Sequence, residues 1–263
     1  MMMTREPPKR AAPSILAVDP WLLGNRPKGR MHQLLSEEER ARLVPIASVV
    51  RFRRGAEIYR TGEPASAMFI IVSGVVKVYS GGDNHITAFL FPGDLCGLAE
   101  EGIYANSVRA VTAVTAYQLP LRALRSRLSQ DGMLEYHLIC KLCQDLRYSQ
   151  RHAFLVAQRH ADSKIATFLQ MLEQHQVARG EDAKEIRIPM NRSDIAEYVG
   201  MSLAAVSRSF ASLVSRGIVK NGDRHHLRII DRDAFEKIVA GGTVRRSGRR
   251  APSKRGAHKP TAP

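Results

Sequence analysis

Residues 191–216 read Asn-Arg-Ser-Asp-Ile-Ala-Glu-Tyr-Val-Gly-Met-Ser-Leu-Ala-Ala-Val-Ser-Arg-Ser-Phe-Ala-Ser-Leu-Val-Ser-Arg. Asn191 is suited to cap a helix, with Asp194 three residues on as a shortened capping box. Ile195, Ala196 and Val199 pack inward from that helix. Gly200 ends it, because a left-handed C-cap favours glycine. Ser202 caps a second helix whose buried face is Val206, Phe210, Leu213 and Val214. Two short helices joined by a tight glycine turn form a helix-turn-helix. The second helix presents Ser202, Leu203, Ala204, Ser207 and Arg208 where a recognition helix meets base edges. Arg208 is placed to donate a bidentate pair to guanine O6 and N7. Arg192, at the start of the first helix, is a further candidate DNA contact.

The residues that follow extend this reading. Gly217-Ile218-Val219-Lys220 reads as a strand, Asn221-Gly222-Asp223 as a hairpin turn and Leu227-Arg228-Ile229-Ile230 as the return strand. A hairpin directly after a recognition helix is a wing, and Lys220, Arg224 and His225 on it are candidate phosphate contacts. The competing reading is a helical hairpin that merely packs. Capping, glycine turn, exposed arginine and wing together favour the DNA-binding one.

Upstream, the texture is β-rich. Gly55, Gly62-Glu63-Pro64, Ser73-Gly74, Gly81-Gly82-Asp83-Asn84 and Pro92-Gly93-Asp94 punctuate short apolar runs from Val49 to Phe91. Val108 to Leu119 reads as one closing strand, ended by Pro120. Short strands at regular spacing with turn signals between them predict a compact β-barrel or β-roll. After Pro120 the period becomes helical. A short helix is expected over Leu121 to Leu128, then a long one from about Gly132 to Arg159. Leu134, Leu138, Leu142 and Leu146 recur every four residues along it, with Ala153 one heptad beyond. Lys141, Gln144, Arg147 and Gln150 are assigned to its other faces. That apolar stripe either packs on its own domain or forms a two-chain seam; the helix's length favours the seam. Another helix is expected over Asp162 to His175, then a loop and a short strand, Ile186 to Pro189. Ser36 and Glu39 form a capping box for a short helix reaching Val44.

The expected fold class is therefore α+β: an N-terminal β-roll (of cyclic-nucleotide-binding type, as the family resemblance given below implies), a long dimerisation helix and a C-terminal winged helix-turn-helix. The domains are expected at 1–30 (disordered), 31–128 (roll), 129–160 (dimerisation helix), 161–242 (winged domain) and 243–263 (basic, disordered tail).

Of 263 residues, 44% are hydrophobic and 25% charged, enough to bury a sizeable core. No apolar run approaches a membrane span: Ala67 to Tyr79 is broken by Ser73, Gly74 and Lys77. The N-terminus is charged and proline-broken, unlike a signal peptide. Three cysteines are too few for a disulfide framework, which predicts a cytoplasmic protein. The net charge is +15, yet residues 1–30 hold +4 of it and residues 243–263 hold +7. Net charge alone thus says little about what the folded body binds.

A glycine-punctuated roll, a long helix and a winged helix-turn-helix resemble the CRP/FNR family of bacterial transcription regulators. The roll markers are Gly55 with Ile58, Gly62-Glu63, Phe69-Ile70-Ile71 with Gly74, and Phe91-Pro92-Gly93-Asp94-Leu95. Asp194 to Gly200 followed by Val206-Ser207-Arg208 looks most like the FNR/FixK branch. The resemblance implies a homodimer through the long helix, two recognition helices in successive major grooves of double-stranded DNA, and RNA polymerase as a partner. It also implies a palindromic operator with TTGAT-like half-sites. Ala204 stands where many relatives carry Glu, so one base of the half-site loses its hydrogen-bonded readout.

Family effectors are matched poorly. Cyclic-nucleotide binders place Glu after a glycine where Leu98 follows Gly97, and an Arg-Ser pair where Tyr104-Ala105 stands; Arg109 aligns with a strand residue beyond. A cyclic phosphate needs such a cation. The iron–sulfur members' N-terminal cysteines are missing, and Tyr117 occupies the roll-cysteine position. The histidines show no haem-ligand pattern. Cys140 and Cys143 read as small apolar residues near the seam rather than a thiol sensor or metal site, and Cys96 as a roll strand residue. No cofactor, metal or catalytic residue is expected. No phosphate loop, metal-spacing motif or nucleophile elbow suggests an enzyme. The alternatives are an effector-gated regulator (haem, thiol or another roll ligand) and a protein-interaction module with only non-specific DNA affinity.

Overall fold

The computed structural model describes residues 42–80, 85–99, 102–223 and 225–241. The capping box at Ser36, the turn at Gly81–Asn84, Arg224 and both terminal segments lie outside the described residues. Helical residues 42–43 lead through a 3-10 turn, Val44–Ile46, into the roll.

Eight strands build the roll: β1 (Ser48–Phe52), β2 (Glu57–Tyr59), β3 (Ala67–Ser73), β4 (Val76–Ser80), β5 (His85–Leu90), β6 (Leu95–Cys96), β7 (Ser107–Ala110) and β8 (Val114–Pro120). They pair into two four-stranded sheets, β1-β8-β3-β6 and β2-β7-β4-β5. Alternation sends Phe69, Ile71, Val114 and Ala116 from one sheet against Val76, Val78, Val108 and Ala110 from the other. The opposite face of β4 and β5 carries Lys77, Tyr79, Ile86 and Phe89, and the last three join a different core.

The single strand expected over Val108–Leu119 is two strands, in different sheets. The chain turns at Val111–Ala113, where Val111 N–H donates to Val75 O (2.8 Å) and Thr112 Oγ1 accepts from Val75 N–H (2.9 Å). Gly74 permits this crossing. Its φ is +88°, and a Cβ there would stand 2.2 Å from Ala113 O.

Helices follow: α1 (Leu121–Leu128), α2 (Gly132–Ala157) and α3 (Ala161–Ala178). Asp131 caps α2, accepting from Leu134 N–H at 3.1 Å. Leu134 is 2% exposed, packed with Leu43, Met68, Leu119, Leu121 and Leu124 at the roll's edge. Lys141 is also buried, against the expectation that it lies on a polar face. Its ammonium pairs with Asp94 (2.7 Å) and Asp145 (3.1 Å), tying α2 to the roll. Burial opposes that charge, and the two carboxylates more than offset it, raising the Lys141 pKa.

The winged domain comprises β9 (Ile186–Arg187), α4 (Arg192–Val199), α5 (Leu203–Ser215), β10 (Val219–Asn221), β11 (His226–Ile229) and α6 (Arg232–Val239). The wing is three-stranded, β10-β11-β9. Helix α6 is an addition to the sequence reading; Asp231 caps it, and Ala234, Phe235 and Ile238 bury its inner face. Ile165, Phe168, Leu169, Ile195, Val199, Val206 and Leu213 form the centre of this domain, each fully buried. Such burial contributes roughly 1.5–3 kcal/mol per large side chain. This core is continuous with Tyr79, Ile86 and Phe89 on the outer face of the roll.

Candidate nucleic-acid interface

The helix-turn-helix forms for local reasons. Asn191 Oδ1 accepts from Asp194 N–H at 2.7 Å and starts α4. Asp194's carboxylate serves a different partner from the one a capping box gives it: it receives Lys77 Nζ from the roll at 2.7 Å. Gly200 closes α4 at φ 63°, ψ 51°, the left-handed cap. Ser202 Oγ then accepts from Ala205 N–H at 3.2 Å and starts α5. Val206, Phe210 and Leu213 face inward, while Val214 is half-buried.

Helix α5 therefore shows its first two turns to solvent. Ser202, Leu203, Ala204, Ser207 and Arg208 are all exposed, on one end and one side of the helix. Arg208 makes no ion pair among the described residues. The far end is anchored to α3, since Asp162 Oδ2 accepts from Ser212 Oγ (2.8 Å) and Arg216 Nη1 (3.1 Å). Arg232 holds Glu173 of α3 through two N–H groups, which fixes α6 as well. Asp162, Ser212, Arg216, Glu173 and Arg232 had no motif signal; their partners are distant in sequence.

Arg192 differs from its expected role. It is half-buried, with its guanidinium 3.3 Å from the centre of the Phe210 ring, and its Nη1 is buried without a hydrogen bond. A planar cation seated on an aromatic face is a packing contact between α4 and α5. Burial lowers its pKa. On the wing, Lys220 and His225 are exposed. The His225 backbone is held on both sides: its carbonyl accepts from Ile188 N–H (2.7 Å) and its N–H donates to Asp223 Oδ1 (2.8 Å).

Of the expected seam residues, Leu142, Leu146 and Ala153 are exposed, Leu138 is half-buried and Leu134 is buried in its own protomer. The reason is angular. A four-residue step overshoots the helical turn by about 40°, so Leu134 and Leu146 lie about 120° apart. Tyr136, Ile139 and Phe154 share the exposure, at 51%, 51% and 56%. Of the cysteines, Cys143 is exposed, Cys140 half-buried and Cys96 buried in β6.

Tyr104, expected at the place of the family's Arg-Ser pair, is buried inside the roll. Its ring stacks on Tyr59 (3.9 Å between centroids), and its hydroxyl donates to Ala67 O at 2.8 Å. Arg109 points outward from β7, donating to Glu57 (2.8 Å) and the Tyr79 hydroxyl (3.1 Å). Hydrogen bonds from Tyr79, Arg60 and Arg109 draw the Glu57 pKa down to about 2. Among the described residues no cluster of three His, Cys, Asp or Glu side chains is disposed to hold a metal, and no helix is long and apolar enough to cross a membrane.

Roll, long helix and winged helix-turn-helix together define a class: DNA-binding transcription regulators with an N-terminal sensor-type roll. Residues 49–131 match the cyclic nucleotide-binding domain family, and residues 163–238 match the Crp-like helix-turn-helix domain. The transcriptional activator protein FnrA of Stutzerimonas stutzeri is 29% identical over 194 residues, covering 72% of this chain and 79% of FnrA. The nitrogen fixation regulation protein FixK of Azorhizobium caulinodans is 27% identical over 191 residues, covering 71% and 77%. The solved structure of FixK2 from Bradyrhizobium japonicum superposes with a TM-score of 0.68 at 26% identity, covering 73% of this chain and 97% of FixK2. The chain belongs to the CRP/FNR family of transcription regulators.

Proposed function

We propose that this protein is a sequence-specific transcription activator that binds a two-fold symmetric, FNR/FixK-like operator as a homodimer in the cytoplasm, and that RNA polymerase is its partner there. The observation that carries this is the exposed end of α5. A helix with Leu203, Ala204, Ser207 and Arg208 exposed, flanked by a wing with Lys220 and His225 exposed, fits a major groove and its adjoining phosphates. Exposed Ile139, Leu142, Leu146 and Ala153 supply the seam for a second copy, at heptad-compatible spacing.

Activity needs no small effector in this reading. Two observations support this: Tyr104, expected where cyclic-nucleotide binders carry their Arg-Ser pair, stacks on Tyr59, and Arg109 is engaged by Glu57 and Tyr79. The protein is not an enzyme in this reading.

Selection from a random duplex library, with the purified chain and no added ligand, tests the proposal. The expected outcome is a palindrome with half-sites one helical turn apart and an invariant guanine in each. Recovery of only salt-sensitive, sequence-blind binding overturns it.

A further inference from the structure

The outer face of the roll meets the DNA-binding domain through a matched set of side chains. Lys77 and Phe89 are direct cross-strand partners on β4 and β5. Asp194 and Tyr198 stand four residues apart on α4, so they share one face of that helix. The two pairs meet: Lys77 Nζ lies 2.7 Å from Asp194 Oδ1, and the Phe89 ring lies 5.1 Å from the Tyr198 ring. The far side of Tyr198 is held by α2. The His152 ring stacks on it at 4.1 Å, and His152 Nε2 donates to Tyr198 O at 2.7 Å, since a carbonyl only accepts. Lys164 of α3 donates to Val199 O at 3.2 Å. The first helix of the helix-turn-helix is thus gripped from four elements, β4, β5, α2 and α3, while the reading face of α5 stays exposed.

We infer that Lys77 and Phe89 are positioning residues for DNA binding. They clamp α4 to the roll and so hold the two recognition helices of a dimer at a fixed spacing without any bound effector. This rests on the dimeric reading above. The Lys77–Asp194 pair is suited to the task because its side chains are 17% and 10% exposed. A largely desolvated pair is directional and leaves an uncompensated charge when either partner is removed. Loss of the clamp lets each winged domain sample other orientations. The apparent affinity for a full operator then falls by the fraction of time the domains are correctly spaced. Contact with a single half-site needs no fixed spacing and is unaffected.

The experiment compares duplexes bearing the full selected site and one half-site, at one salt concentration, with the full chain and no ligand. The parent prefers the full site. Lys77→Glu, which sets a like charge against Asp194, weakens full-site binding by about tenfold, as expected if the correctly spaced fraction drops to about one tenth. Half-site affinity stays at the parent value, which unfolding of the winged domain would not allow. Adding Asp194→Lys to Lys77→Glu restores most of the full-site affinity. A parent without preference for the full site defeats the dimeric reading. A parent with that preference, and Lys77→Glu binding the full site equally or more tightly, overturns the clamp. If Lys77→Glu also loses half-site binding, Lys77→Met decides by the same comparison: a selective full-site loss supports the clamp, and any other result overturns it.

Discussion

In the proposed reading, sequence specificity is concentrated at Arg208. It is exposed on the second turn of α5, with Ser207 beside it and the aliphatic Leu203 and Ala204 one turn earlier. Its guanidinium fork matches guanine O6 and N7, whereas Ala204 has only a methyl group to offer. Arg208→Ala should cost about 1–3 kcal/mol of operator binding and relax selectivity at the guanine, measured by competition with operator variants. Arg192 shows why a basic residue at a helix start is ambiguous by itself. The position that makes it a candidate DNA contact also sets its guanidinium over the Phe210 ring. His175 is another residue whose role is set by burial. It sits between Phe91 and Tyr148, 4.9 and 4.6 Å from their ring centres, and burial lowers its pKa to about 4. Unfolding returns it to about 6.5, so the unfolded chain binds the extra proton first. Its contribution is intact above pH 6.5 and is lost as pH falls toward 4, by up to about 3 kcal/mol. His175→Phe should flatten the acid limb of a melting-temperature profile between pH 6.5 and 4.

At the scale of elements, the helix-turn-helix was legible because its signals are local. Asn191, Gly200 and Ser202 each act within four residues of themselves, and all three adopt the cap their chemistry suggests. The break at Val111–Ala113 was not legible, because it depends on Gly74 and Val75, some 37 residues earlier in the chain. Helix α6 carries a local signal of the same kind, Asp231 before Ala234, Phe235 and Ile238, just beyond the wing. The long helix, expected to reach about Arg159, ends at Ala157, and its leucines split by angle. Leu134→Ala should cost roughly 2–5 kcal/mol of stability, as a core truncation, and leave the oligomeric state unchanged. On the dimeric reading, Leu146→Glu should leave a folded protein that sediments as a monomer at concentrations where the parent sediments as a dimer. Melting and sedimentation velocity on the same two variants check both outcomes.

Across the whole molecule, the division into roll, helix and winged domain followed from the changes of period in the sequence. The contacts between those parts did not, since Lys77 and Asp194 are 117 residues apart and each reads as an ordinary surface charge. Lys141 reads as a surface charge for the same reason, since the Asp94 it meets in the roll is 47 residues away. Pairings of this kind come from three-dimensional closure, and periodicity carries no information about them.

That shared core also limits how freely the parts of this protein can be recombined. Tyr79, Ile86 and Phe89 belong to the roll by chain position but to the winged domain by packing. A chimera joining this DNA-binding half to a foreign sensor at the boundary near Ala157 would strand Phe168 and Tyr198 against a surface not shaped for them. The portable unit is larger than the domain: it runs from Gly132 to Val239 together with the outward side chains of β4 and β5. Duplicated descendants of such a regulator are therefore expected to exchange operators by changing Ala204 and its neighbours in place, not by trading whole domains.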